Sequence, residues 1–510
     1  MAKAGARARA AALVRRLAPG GSVATQAEAA HALARLCLDK SRNREYVRGC
    51  GGVAALVELL APGGAPAVQQ QAAAALTSLC TEDRRDQDGV RECGGIAALV
   101  GLLVPSRPAA VRVLAAGLLC NLCVDSTRNQ DSVRECGGVA ALVVLLAPGG
   151  SAAVHEMAAA ALESLCYHND QNRDCVRECG GVAALVELLA PNSAAVHERA
   201  AGALCNLCRD NAQNCNSVRV CGGVAALVGL LAPGRFATVQ EQAADALANL
   251  CLRNNARNQD SVRECGGVAA LVGLLAPGGS AGMQTQAAGA LANLCCENIE
   301  NQDSVRDCGG VVALVALLAP SAVPAVRARA AAALGNLCMA NARCQDSVRE
   351  CGGIAALVGL LAPGGPAAVL DRAAGALANV CARNVLNQDS VRECGGVAAL
   401  VALLAPSASS AVRVRAAAAL GNLCFNSIKN QDSMRQCGGI AALVAVLAPG
   451  GSAHPHVALA LKILTSGSEQ SREAVRAFGG IAALEGVLAC ASSAAAHEMA
   501  AAALRNLGHV

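Results

Sequence analysis

The chain of 510 residues has no tryptophan and only five aromatic residues, Tyr46, Tyr167, Phe236, Phe425 and Phe478. A core without large rings must be filled by Ala, Leu, Val and Cys, which implies helices that approach one another closely. Long apolar runs are missing too. One of the longest, Val139 to Ala147, falls well short of the ~18 to 20 residues that cross a bilayer, so no transmembrane segment is expected. An excess of either charge is also missing. With 42 basic against 38 acidic side chains the net charge is +4, too small over this length to argue for a nucleic-acid or anionic-membrane partner. Residue 2 is Ala, so the glycine needed for N-myristoylation is absent. No segment alternates with period 2 for long enough to read as a strand.

What is present is a repeat. The phrase Asp131-Ser132-Val133-Arg134-Glu135-Cys136-Gly137-Gly138 returns at a spacing of about 43 residues. Cys-Gly-Gly starts at Cys50, Cys93, Cys136, Cys179, Cys221, Cys265, Cys308, Cys351, Cys394 and Cys437, and Phe478-Gly479-Gly480 is a variant. A fixed period of this size means stacked units that bury their apolar faces only against neighbours. The expected organisation is a short N-terminal segment, 1–10, followed by one solenoid over 11–510 with atypical repeats at both ends. Lys3, Arg7, Arg9, Arg15 and Arg16 superficially resemble a transit peptide. However, residues 11–21 align with 54–64, so this stretch reads as folded repeat.

The 27 cysteines fall mostly into two registers, one in Cys-Gly-Gly and one at a helix end from Cys37 to Cys424. Periodic cysteine reads as a small core hydrophobe, and an odd number of thiols fits a reducing compartment. The expected location is cytoplasmic, with the nucleus open as a second site.

Within one unit, Asn258-Gln259-Asp260-Ser261-Val262-Arg263-Glu264 reads as a short helix capped by Ser261 and Glu264. Gly266-Gly267 makes a bend, a second helix runs from Val268 to Leu275, and Pro277-Gly278-Gly279 stops it. A third helix covers roughly 281–296, with Met283, Ala287, Ala290, Leu291 and Leu294 forming a buried stripe. Twelve second-plus-third-helix units are counted, eleven of them preceded by a short first helix. Arg16 stands where interior repeats have Leu59, and Glu485 where they have Val272, as expected of capping repeats.

Three helices, a glycine bend and the phrase Ala-Leu-x-Asn-Leu, seen as Ala203-Leu204-Cys205-Asn206-Leu207 and Ala290-Leu291-Ala292-Asn293-Leu294, resemble the armadillo-repeat family over nearly the whole chain. The resemblance implies an all-α, right-handed solenoid of about twelve three-helix repeats, with third helices lining a concave groove. It also implies that Asn121, Asn206, Asn249, Asn293, Asn336, Asn379 and Asn422 hold a partner's backbone. A carboxamide offers a donor and an acceptor, which suits that role, although a bond to a neighbouring repeat is the structural alternative. Asn506 continues the row, and Arg35, Ser78, Ser164 and Ile463 interrupt it.

Four residues before the asparagines stand small residues such as Gly289 and Gly375, with Asp245 before Asn249, and the small ones are expected to admit a ligand backbone. Seven before stand Gln242, Gln286, Arg329, Arg372 and Arg415, on nearly the same face. Three successive arginines favour acidic side chains on an extended protein partner. The similarity is closer to catenin-like and vacuolar armadillo scaffolds than to importin-alpha-like carriers, the alternative reading, because carriers of that type use Trp at the minus-four row. Oligomeric state is open.

Other motifs carry less. The arginine row from Arg48 to Arg476 could track phosphates, but Asp131, Asp260 and Asp303 lie three residues before their arginines, so a structural row is expected. Cys120-x-x-Cys123 and Cys205-x-x-Cys208 lack further zinc ligands close in sequence, and His155-Glu156 and His497-Glu498 lack a second His. No enzyme, metal or cofactor is expected, and the ubiquitin-ligase members of the wider family would need an N-terminal domain for which this chain has no room.

Overall fold

The computed structural model describes residues 2–38, 41–81, 83–252, 255–447, 455–490 and 493–509, which are helices and turns with no strand among them. Among the described residues 35 helices fall into eleven first, twelve second and twelve third helices, the repeat count that the glycine period predicts. They group into two compact units, Met1–Leu250 and Cys251–Val510, and the division falls at the end of a third helix. The helix Ala2–Arg15 includes the leading residues 2–10 and runs on into the second-helix position of the opening repeat.

In one repeat of the second unit the first helix is Ala256–Glu264, the second Gly267–Gly273 and the third Ala281–Leu294. Within each unit successive third helices pack on one another. The contact is made by pairs of small residues, with Ala287, Ala288, Ala330, Ala331, Ala373 and Ala374 all without exposed surface, and by buried Leu291, Leu334 and Leu377. Each such leucine contributes about 1.5–3 kcal/mol of burial. The absence of aromatics is thereby explained, since rings would hold these helices apart.

The two glycines of the bend do different work. Gly137 has φ +74°, a left-handed conformation that a Cβ disfavours, and nothing crowds it. Gly138 has ordinary backbone angles but no room. A Cβ there would stand 2.5 Å from Val133 Cγ1, 2.8 Å from the Val133 carbonyl oxygen and 3.0 Å from Val100 Cγ2 of the preceding repeat.

Two sequence expectations need correction here. Ser261 does not cap the first helix. The cap is Asn255, whose side chain accepts from the Asn258 backbone N–H, and Asn169, Asn211, Asn298, Asn341 and Asn384 do the same in their repeats. In most of these repeats a residue with positive φ, such as Glu297, Ala340 or Arg383, turns the chain just before the cap and so starts the helix earlier. The second correction concerns cysteine. The helix-end register, Cys37 to Cys424, is buried as predicted, but Cys93, Cys136, Cys179, Cys221, Cys265, Cys308, Cys351, Cys394 and Cys437 are exposed. The second glycine fills the inner side of the bend against Val133, leaving Cys136 on the outer corner.

Polar side chains join the repeats. Asn172 Nδ2 donates to the Leu165 carbonyl in its own repeat and the Gln130 carbonyl in the preceding one, and its Oδ1 accepts from Arg134 Nε at 3.0 Å. Arg134 also pairs with Asp131 at 3.2 Å, so the arginine row is structural, and it ties adjacent repeats as well as neutralising its own helix. His155 and His197 are buried, and their Nε2 atoms lie 3.1 and 2.9 Å from the Ala147 and Ala190 carbonyls at second-helix ends. At the terminal repeats Arg16 pairs with Glu28 and Glu485 meets His509, both at 3.1 Å.

Asp86 stands at a position that most repeats give to a buried asparagine. It is fully buried, 3.0 Å from Arg48 Nη1, yet neither carboxylate oxygen has an aligned hydrogen bond. Burial lifts its pKa to about 6; Asp83 adds to the rise and Arg48 opposes it. A raised folded pKa means that this group's contribution to stability is full below about pH 4, its unfolded range, and is lost as pH climbs through about 6. Asp86→Asn restores a donor in the position that Asn129 uses toward the Leu122 carbonyl. Urea unfolding is expected to show the variant about 1–3 kcal/mol more stable at pH 7, with the gain vanishing toward pH 4. A pH-independent difference would count against this assignment.

Candidate functional site

The third helices carry the candidate rows. Asn336 Nδ2 donates to the Ala292 carbonyl at 2.8 Å, Asn379 to that of Gly335 at 2.9 Å and Asn422 to that of Ala378 at 2.8 Å. In the first unit Asn206 donates to the Glu163 carbonyl at 2.9 Å and Asn249 to that of Cys205 at 3.2 Å. Each acceptor precedes the equivalent position of the previous repeat by one residue. One amide hydrogen of these asparagines is therefore committed to stacking, which is the structural alternative weighed above. The second hydrogen and Oδ1 complete the carboxamide's capacity. Asn121 and Asn293 are half-buried in the same register.

The main chain of the row is fixed from the other side. Gln302 Nε2 donates to the Cys295, Asn336 and Met339 carbonyls, and Gln345 to those of Cys338, Asn379 and Ala382. These glutamines position the site, and the repeated Asn-Gln-Asp phrase was their visible signal.

In the second unit the rows meet around one cavity of about 710 Å³ lined by Asn293, Asn336, Asn379, Arg329, Arg372 and Arg415, with Asp371 and Gly375. All three guanidinium side chains are exposed. Arg372 and Arg415 share Asp371, each at 3.6 Å, and Arg329 has no ion pair among the described residues. Three cations against one anion leave this wall positive.

The glycines four residues before the asparagines serve the arginines. A Cβ on Gly289 would lie 3.7 Å from Arg329 Cδ, and one on Gly375 3.6 Å from Arg415 Cδ, so each arginine stem lies across the glycine of the preceding helix. The expectation that these glycines admit a ligand backbone changes accordingly: they seat the arginines that would meet it.

Other predicted members are placed apart. Thr285, and not Gln286, lines the cavity, while Gln242, Asn121, Asn206 and Asn249 belong to the first unit. There a cavity of about 350 Å³ is lined by Asn206, Glu163 and Arg199, and the latter two pair at 3.4 Å. Arg199 occupies the minus-seven register before Asn206 and could have been found by the same count. Glu163, its carboxyl raised by burial, neutralises it.

The cysteine pairs sit in helical packing. Cys205 Sγ donates to Asp245 Oδ2 at 3.1 Å, and burial, with Asp245 adding, pushes the thiol pKa up. Cys123 is fully buried, which also raises its thiol. No group of three or more potential metal ligands occurs among the described residues. No described helix is long and apolar enough to cross a membrane.

Fold and site together define an all-α repeat protein whose third helices present a periodic polar face. The family profile described as "Plant U-box protein ARM repeat region" matches residues 10–309, more than half of the chain, and the chain belongs to the armadillo-repeat family. A profile for the SIL1/FES1/HPBP1 C-terminal domain matches residues 301–438. Among solved structures, an engineered protein from the Northeast Structural Genomics Consortium is 32% identical, with a TM-score of 0.73, covering 81% of this chain and 98% of its own. A second engineered protein from the same consortium is 32% identical over 48% of this chain and 96% of its own, with a TM-score of 0.45. No curated protein gives a significant match. An armadillo-repeat region implies protein–protein interaction.

Proposed function

We propose that the chain is a non-enzymatic scaffold that holds extended, acidic segments of partner proteins against the third helices of residues 251–510. The observation that carries this reading is the convergence of Arg329, Arg372 and Arg415 with Asn293, Asn336 and Asn379 on one cavity. Third helices about 8–10 Å apart place one arginine per roughly three residues of extended chain, since each residue advances ~3.3 Å. Carboxylates at that spacing meet successive guanidiniums, while the asparagine groups left over from stacking meet the peptide main chain.

The test is fluorescence anisotropy with two labelled peptides of equal length, one rich in glutamate and one rich in lysine. The acidic peptide is expected to bind and to weaken as salt rises, because exposed charges are screened beyond ~10 Å at 0.1 M. Preference for the lysine-rich peptide would support an importin-like carrier and defeat the scaffold reading.

A further inference from the structure

The asparagine register breaks at the third helix Pro455–Gly467, and the break has a definite chemistry. Ile463 stands where Asn422 stands one repeat earlier, and Leu459 stands at the minus-four position that Ala418 and Gly375 keep small. Both substitutions replace a polar or small group with a large apolar one on the same face. They line a second cavity of about 670 Å³ together with Met339 and Phe425, and Lys462 lies on its wall. Phe425 is 40% exposed and Ile463 8%, so the first is a wall and the second a floor. This cavity and the arginine-lined one both include Met339 and Asn379, so a single extended chain can cross both.

We propose that the second unit selects segments bearing one large apolar side chain, seated between Phe425, Leu459 and Ile463, beside the acidic residues held by the arginines. This rests on the peptide-binding reading above and adds a specificity element to it. The apolar cavity is displaced from the arginine cavity by about two third helices, roughly 16–20 Å, or about five or six extended residues. Lys462 on the wall favours a carboxylate flanking the apolar residue over a lysine.

The probes are labelled peptides of about a dozen residues with two glutamates three apart and, about five positions away, either leucine or serine. The leucine peptide is expected to bind the wild-type chain at least about tenfold more tightly, from burial of one aliphatic side chain. The variant Leu459→Ala with Ile463→Asn, which restores the residues of the neighbouring repeat, is expected to lose that advantage and bind the serine peptide as before. Equal binding of the two peptides to the wild-type chain overturns the anchor and leaves the acidic groove standing. An advantage retained by the variant overturns the assignment to these residues. Binding of neither peptide overturns the groove itself and the anchor with it. The peptide exchange on the unaltered chain decides the matter even where the variant folds poorly.

Discussion

Replacing Arg329, Arg372 and Arg415 together by glutamate is expected to weaken an acidic peptide by a factor on the order of a hundred to a thousand. Each exposed arginine–carboxylate contact contributes about 0.5–0.7 kcal/mol, and reversal adds a repulsion of similar size, about 3–4 kcal/mol over three positions. The melting temperature should move by only a few degrees. Arg372 and Arg415 are 55% and 52% exposed and share Asp371 at 3.6 Å, a geometry in which surface pairs give ~0–1 kcal/mol. Arg329→Glu alone separates the two effects, because no ion pair is lost with it among the described residues. Titration by anisotropy beside thermal unfolding checks both. Unchanged affinity in a folded triple variant would remove the arginine row from the site.

The second large effect is on stability. Gly138→Ala is expected to destabilise its repeat by about 3 kcal/mol, because the added methyl meets both Val133 and its carbonyl, and backbone cannot give way as a flexible side chain can. Gly137→Ala should cost less, about 1–2 kcal/mol, since the penalty there is the left-handed backbone alone. Because repeats stack on nearest neighbours, the loss should appear first as faster hydrogen exchange around residues 127–144 and then as a lower urea midpoint. Equal effects at the two glycines would contradict the division of labour between them.

The fold was largely legible in the amino-acid order. The glycine bend returning every 43 residues or so, the Ala and Leu stripe of the third helix and the arginine–aspartate spacing of the first helix are all local patterns. Helices settle local patterns by their own periodicity. The capping residue was less legible, because Asn255 and Ser261 each satisfy a cap signature. In other repeats the turn before the cap holds a positive-φ residue such as Glu297 or Ala340, which is not a glycine and leaves no mark in composition.

The candidate site was half legible. Counting back from the asparagines found Arg329, Arg372 and Arg415, which do line one cavity, but overlooked Arg199 and included Gln286, which does not reach the cavity wall. Nothing in the count showed that Glu163 would neutralise Arg199 while Arg329 would have no such partner among the described residues.

The sequence by itself determined the three-helix unit, the number of units and which residues recur at equivalent places, because these follow from periodicity within a repeat. Only the tertiary structure decided what each row does. Asn379 spends a hydrogen on the Gly335 carbonyl, Gly375 lies under Arg415, and Cys136 sits outside while Cys123 is buried. The first two are contacts between residues about 40 apart. They depend on how one helix lies over its predecessor, a geometry that spacing along the chain does not encode.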